Sequence, residues 1–420
     1  LKNDEVLAIY LIETPYPVEK AAETMAGEQS TGTFISVPGE TPQLKARHGA
    51  RVVGIEPLDE SESPSLPGVY IPRDMDKPVY RRAVVKLSFP LHNFGPSLPN
   101  LLSTVAGNLY ELREFSGLRL LDLELPEAFA AKYPGPKFGI QGTRRLAGVF
   151  DRPLIGTIVK PSIGLPLEEY GPLVRGLAEA GLDFIKDDEL CANPPYAPFE
   201  QRVNTVMNEI DKAADRTGKK LMYAFNITGD IDEMKRNHDT VLQAGGTCVM
   251  VCVNSIGFAA VSHLRGYTEL PIHGHRTQWG AMTRSPLLGM SFTAYQKLCR
   301  LAGVDHLHTN GLNSKFAESN DSVVRSILDC LKPMFGGYGA MPVLSSAQWA
   351  GSAIPTYRET RTLDVIHLAG GGILAHPGGL AEGVRSMQLG WEAAVREIEL
   401  AKYAETHSEL QEAIRVFGDK

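Results

Sequence analysis

The sequence predicts an α/β chain of two domains: a C-terminal closed (β/α)8 barrel of the TIM type, residues 136–420, behind an N-terminal α+β domain of ferredoxin-like kind, residues 1–135. Three observations carry that expectation. The 420 residues exceed one typical domain of about 100 to 200. From residue 151 onward a short β-branched run, a cluster of Gly, Asn, Asp or Ser and a longer helix-period stretch recur as one unit. Before about residue 135 that rhythm is absent.

The runs that open the units are LIGTIV (154–159), DFIKDD (183–188), KLMYAFN (220–226), TCVMVCV (247–253), LPIHGH (270–275), VDHLHT (304–309), MPVLSS (341–346) and DVIHLA (364–369). Each precedes a helical stretch such as FEQRVNTVMNEIDKAADRTG, and the span of about 250 residues is what the barrel requires. An open doubly wound sheet usually has fewer strands and a G-x-G-x-x-G first turn, which KPSIG after the first run does not supply. In the N-terminal part EVLAIYLI, TGTFISV, ARVVGIEP, YRRAVVKLSF and LRLLDLEL read as strands, and the stretches near 17–27 and 98–108 as helices, a split βαβ pattern. The Pro and Gly cluster YPGPKFG (133–139) marks the boundary.

Composition narrows the function classes. With 43% hydrophobic and 22% charged residues the chain is an ordinary globular protein rather than a disordered or fibrous one. A formal net charge of -7, with no local basic patch, speaks against nucleic acid as partner. The apolar runs are shorter than the roughly 20 residues of a membrane span, and the start, LKNDEVLAIYLIETPYP, has acids where a signal peptide wants basic residues. The expected location is the cytoplasm, with no membrane partner. Five cysteines without a C-x-x-C suggest neither a disulfide framework nor a zinc ribbon, and Cys248 and Cys252 read as small core residues.

Barrel enzymes work at the carboxyl ends of their strands, so unusual residues there are candidates. The first run ends in Lys160 and Pro161; the second carries Lys186, Asp187, Asp188 and Glu189. With period 2, Lys186 and Asp188 face the same way, and Glu189 begins the loop beyond. Two adjacent carboxylates suit Mg²⁺, a hard cation that takes oxygen ligands. A lysine beside a cation is repelled unless CO₂ converts it to a carbamate, which offers an oxygen. His273 with His275, and His306 with His308, put two imidazoles on one face of each of two strands. A zinc amidohydrolase also combines H-x-H with a carbamylated lysine, but in a different strand order. Arg276 directly after His275 favours an anion, and the Gly370-Gly371-Gly372 triplet stands where this fold usually cradles phosphate.

Together, GTIVKPSIGL (156–165), GLDFIKDDEL (181–190), HGHR (273–276), HLHTN (306–310) with Lys315, and LAGGGILAHPGG (368–379) resemble the large subunit of ribulose-bisphosphate carboxylase (RuBisCO). EQSTGTF (28–34) and Gly107-Asn108 extend the likeness into the N-terminal part. The resemblance implies Mg²⁺ held by carbamylated Lys186, Asp188 and Glu189, with Lys160 managing the enolisation proton, His275 near the substrate hydroxyls and Lys315 on a mobile loop. It implies one anion subsite of Arg276, His308 and Ser345. A second is made of Thr33, Gly370 and Gly371, and Glu28 and Asn108 arrive from the partner chain of a homodimer, or of a higher oligomer of dimers.

The departures are as informative. Carboxylases have K-P-K where this chain has Lys160-Pro161-Ser162; Trp279 stands where a histidine is expected; NGLNSK replaces a glycine-rich approach to the mobile lysine. Ser345 is followed by Ser346-Ala347 instead of two glycines, and Phe34 replaces a tryptophan. These changes put CO₂ fixation in doubt and liken the chain to RuBisCO-like proteins, which keep the enolising apparatus. The expected function is Mg²⁺-dependent enolate chemistry on a phosphorylated keto sugar or keto sugar acid, foremost decarboxylation of a 3-keto sugar-acid phosphate. The alternatives are an enolase or isomerase of a methylthio-pentulose phosphate in methionine salvage, and a non-catalytic metabolite- or partner-binding descendant.

Overall fold

The computed structural model describes residues 4–33 and 35–418, so Phe34 lies outside the described residues. Two compact units are present: residues 1–134 with 278–301, and residues 135–277 with 302–420.

The first unit is built on a sheet of β1 (Glu5–Thr14), β2 (Arg51–Ser61), β3 (Tyr80–Pro90) and β4 (Gly117–Glu124), in the order β4-β1-β3-β2 with antiparallel neighbours. That is the split βαβ, ferredoxin-like arrangement. In β1, Val6, Ala8, Tyr10 and Ile12 alternate into the core, as the period of two requires. Helices Val18–Glu28 and Leu98–Val105 bury Ala21, Ala22 and Met25, and Leu98, Leu101 and Val105. Tyr10 donates from its buried hydroxyl to the Val105 carbonyl at 2.6 Å, which joins sheet and helix.

Two features of this unit differ from expectation. The described residues of TGTFISV form turns and bends, followed by a short helix, Pro42–His48, whose Thr41 cap accepts from Leu44 N. A fifth strand, Leu288–Met290, pairs in parallel with β4. Arg119 fastens its segment by donating to the carbonyls of Thr283, Ser285 and Leu288. Trp279 belongs to the same unit, buried against Phe292 and Tyr295.

In the second unit all eight expected strands form and close on themselves: β5 (Leu154–Ile158), β6 (Phe184–Lys186), β7 (Met222–Asn226), β8 (Cys248–Cys252), β9 (Ile272–His275), then, after β10 (Leu288–Met290) of the other unit, β11 (His306–His308), β12 (Met341–Leu344) and β13 (Ile366–Leu368). Leu154, Phe184, Met222, Met250, Val343 and Ile366 fill the interior, so the barrel is a packed core. Buried Asp305 holds the strands in register: its carboxylate accepts from Ile272 N, Phe138 N and Gly139 N at 2.6–2.9 Å and from Arg265 at 2.9 Å. Cys248 and Cys252 are buried in the core of β8, which agrees with their reading as small core residues. Among the described residues no helix is long and apolar enough to cross a membrane.

Candidate active site

The carboxyl end of β6 turns the KDDE run into two functions. Asp187 points away from Lys186: it accepts from Tyr223 Oη at 2.6 Å and Asn226 N at 2.9 Å, and pairs with buried Arg202 at 3.2 Å. That network anchors the strand end. Lys186, on the other face and almost fully buried, donates to Glu189 Oε2 and to the Asp187 carbonyl, both at 2.9 Å. Buried Asp188 is met by Lys160 of the β5 end, whose Nζ lies 2.7 Å from Oδ2 and 2.9 Å from Ser162 Oγ. Ser162, where a second ammonium was expected in carboxylases, is thus an acceptor for the first.

His275 Nε2 lies 3.4 Å from Glu189, and among the described residues no group hydrogen-bonds its buried Nδ1. Burial alone would raise the Glu189 pKa, but the Lys186 ammonium beside it outweighs burial and holds the carboxyl below the usual carboxylate range. Burial first, and the Lys186 ammonium second, press His275 down to about 3. The acid is therefore ionised and the imidazole neutral at pH 7.

Among the described residues no three His, Cys, Asp or Glu side chains are grouped to hold a metal. Asp188 and Glu189 instead each bind a lysine ammonium. The chemistry of the set still fits Mg²⁺ once Lys186 is a carbamate, because the lysine then turns from a repelled cation into an oxygen donor beside two carboxylates.

Arg276, at the end of β9, is buried and bonded at 3.1 Å to Glu318, which follows β11. Glu318 also accepts from Asn310 Nδ2 at 2.6 Å and from Ser322 Oγ at 2.8 Å. Sequence reasoning passed over Glu318, since a lone acid in a loop carries no periodic or motif signal. His308 Nδ1 lies 3.2 Å from Ser345 Oγ, and its ring packs 4.4 Å from that of His275. Lys315 is exposed, its Nζ over the Phe316 ring. Loop NGLNSK is tied down by Asn313 and Asn320, which exchange two hydrogen bonds of 2.8 Å.

The glycine triplet divides. A side chain at Gly372 would strike the Gln348 carbonyl at 2.5 Å, whereas Gly371 faces open space and a Cβ at Gly370 would lie 4.0 Å from the Lys160 stem. Gly370 and Gly371 are thus the open members, beside the β5 lysine. His376 is structural: it meets the Glu409 carbonyl and accepts from Gly378 N.

The remaining candidates lie in the first unit. Glu28 ends its helix exposed; Asn108 precedes the short helix Leu109–Glu111 without a side-chain cap bond; the Thr33 hydroxyl lies against the Glu40 carboxylate and the Ile35 carbonyl. Gln29, the second residue of EQSTGTF, donates to the carbonyls of Ser103 at 3.0 Å and Thr104 at 2.9 Å, bringing the chain at Glu28 beside the one leading to Asn108.

The chain matches the family models for the ribulose bisphosphate carboxylase large chain: the N-terminal domain over residues 1–129 and the catalytic domain over residues 139–417. It is 51% identical to a 3-oxo-isoapionate-4-phosphate transcarboxylase/hydrolase of Xanthobacter autotrophicus, with 98% of this chain and 99% of that protein covered. A 3-oxo-isoapionate-4-phosphate decarboxylase of Rhizobium etli is 46% identical, with 98% of both covered. Among solved structures, a rubisco-like protein from Burkholderia fungorum superposes with a TM-score of 0.92 at 46% identity, covering 99% of this chain and 100% of that one.

Proposed function

The chain belongs to the ribulose bisphosphate carboxylase large-chain family, and from that premise we propose that it is a RuBisCO-like lyase that removes the carboxyl group of a phosphorylated 3-oxo sugar acid of the 3-oxo-isoapionate-4-phosphate type. The observation that carries the reading is the pair of lysine–carboxylate contacts, Lys160–Asp188 and Lys186–Glu189, at the ends of adjacent parallel strands. The Xanthobacter and Rhizobium etli relatives, at 51% and 46% identity, are both named for 3-oxo-isoapionate-4-phosphate.

A 3-oxo acid loses its carboxylate when the C1–C2 bond breaks and its electron pair moves into a C2–C3 enolate; a proton then returns to C2. Mg²⁺, held by carbamylated Lys186 with Asp188 and Glu189, would supply Lewis-acid polarisation of the oxo oxygen. Lys160, half in the open beside Ser162, moves the proton to C2. Neutral His275, beside Glu189 at the mouth, meets a substrate hydroxyl. Arg276 takes an anionic group of the substrate once Glu318 yields, and the open backbone at Gly370 and Gly371 takes another. Glu28, Thr33 and Asn108 complete the site from the partner in a homodimer, with Lys315 closing over the substrate. The protein works in the cytoplasm.

A second reading follows from the Xanthobacter relative: the carboxyl carbon is transferred and then released by hydrolysis. The test is carboxyl-labelled 3-oxo-isoapionate-4-phosphate, with Mg²⁺ and bicarbonate present. Label appearing directly as CO₂ supports decarboxylation. Label first held in a non-volatile product supports transfer, and label left in the substrate overturns both.

A further inference from the structure

Four buried side chains and the half-buried Ser345 form a file through the barrel. Thr143, in the helix Gly139–Ala147, lies 2.9 Å from His306 Nε2; His306 Nδ1 lies 3.3 Å from His273 Nδ1; His273 Nε2 lies 2.8 Å from His308 Nε2; and His308 Nδ1 lies 3.2 Å from Ser345 Oγ. Phe184 packs on His273 and His306 with centroids 5.1 and 5.8 Å away, which holds the rings in place.

The direction of every bond follows from the first member. The Thr143 hydroxyl also meets the Gly139 carbonyl, one helical turn back. A carbonyl only accepts, and two oxygens so close without a proton between them repel, so the single hydroxyl hydrogen is spent there. Toward His306, Thr143 is left as an acceptor, and His306 Nε2 must donate. A neutral imidazole has one N–H and one lone pair. His306 Nδ1 therefore accepts from His273 Nδ1, His273 Nε2 accepts from His308 Nε2, and His308 Nδ1 accepts from Ser345. Burial keeps the rings neutral, pressing all three pKa values far below the ordinary histidine range.

We propose that Thr143, through His306 and His273, is a positioning residue that sets His308 in its Nε2–H tautomer and thereby turns the Ser345 hydroxyl hydrogen onto the ring. His308 then has no N–H to offer at the barrel mouth, and Ser345 presents lone pairs there. Of the three residues Arg276, His308 and Ser345, Arg276 is then the one that carries N–H groups for an anion. The inference holds whatever the substrate.

The test reads tautomers directly, by long-range ¹H–¹⁵N spectra of protein with ¹⁵N-labelled histidine at pH 7.5, assigned with His308→Gln and His306→Gln. The expected wild-type spectrum has protonated Nε2 and bare Nδ1 on His306 and His308, and the reverse on His273. In Thr143→Val the acceptor is gone, a buried N–H facing a methyl costs more than a bare lone pair, and the file should reverse, with His308 Nδ1 becoming protonated. Thr143→Ser should keep the wild-type pattern. A wild-type His308 protonated at Nδ1, or an unchanged pattern in a folded Thr143→Val, overturns the proposal; if Thr143→Val does not fold, the wild-type spectrum and Thr143→Ser still decide it.

Discussion

Arg276 Nη2 and Glu318 Oε2 stand 3.1 Å apart, so the cation expected to meet the substrate's anion is already neutralised from the loop after β11. An incoming phosphate competes with a carboxylate that Asn310 and Ser322 hold in place. Glu318→Gln should therefore tighten inhibition by inorganic phosphate roughly fivefold, the ~1 kcal/mol of a strong but partly solvated pair. Arg276→Ala should weaken it and raise KM for phosphorylated substrates. Inhibition constants equal in wild type and Glu318→Gln would show that the pair does not guard the subsite.

Lys186→Ala should lower kcat by at least ~100-fold, the scale of a lost proton-transfer or metal-holding group. Protein exposed to ¹³CO₂ should show a carbamate carbon resonance that this variant lacks. Full activity of Lys186→Ala in CO₂-depleted buffer would remove the carbamate from the mechanism.

Stability should fall with pH below the ordinary histidine range. Burial presses His306 and His367 down to about 3 and His273 well below its usual value. The folded pKa of each is depressed, so the unfolded chain takes up protons first as pH drops through about 6.5. The stability these groups contribute is complete above that pH and is lost on the way toward 3, by up to ~1.4 kcal/mol per pH unit for each ring. Denaturant midpoints at pH 8, 7, 6 and 5 check this; equal values at 7 and 5 would contradict it.

Ser346 and Ala347 both sit at positive φ, 75° and 50°, where carboxylases carry glycines. The backbone keeps a glycine conformation although each residue bears a Cβ, a strain of about 1 kcal/mol each. Ala347→Gly should raise stability by about 0.5 kcal/mol after the entropy a glycine adds to the unfolded chain. A lower thermal midpoint would show that the Cβ makes a compensating contact.

The proposed sharing of the site across a dimer predicts that Asn108→Ala and Lys186→Ala chains, each nearly inactive, complement on mixing. Random association makes half the dimers mixed, each with one intact composite site, so about a quarter of wild-type activity should return. No recovery despite proven subunit exchange would mean that each chain works alone.

All eight barrel strands were legible because buried parallel strands leave short, largely apolar runs between helix-period stretches. The alternation of Lys186, Asp187 and Asp188 was legible for the same geometric reason: Asp187 anchors while its neighbours face the mouth. TGTFISV misled, since its β-branched content does not encode the partner strand a sheet needs. Leu288–Met290 is three residues long and pairs with a strand some 170 positions earlier, which leaves no local trace. Glu318 and the Thr143 end of the histidine file were illegible likewise, because each acts on residues remote in sequence.

The insertion of residues 278–301 into the first unit has a consequence for synthesis. On the ribosome the sheet of β1 to β4 can form once residue 124 has emerged, but the strand that covers the outer edge of β4 is made only at residue 290, after five barrel strands have been translated. Through that interval β4 exposes a row of unpaired amides and carbonyls able to template pairing with another chain. The N-terminal unit therefore matures after the barrel has begun, and a nascent chain stalled before residue 288 is a species for chaperones to shield.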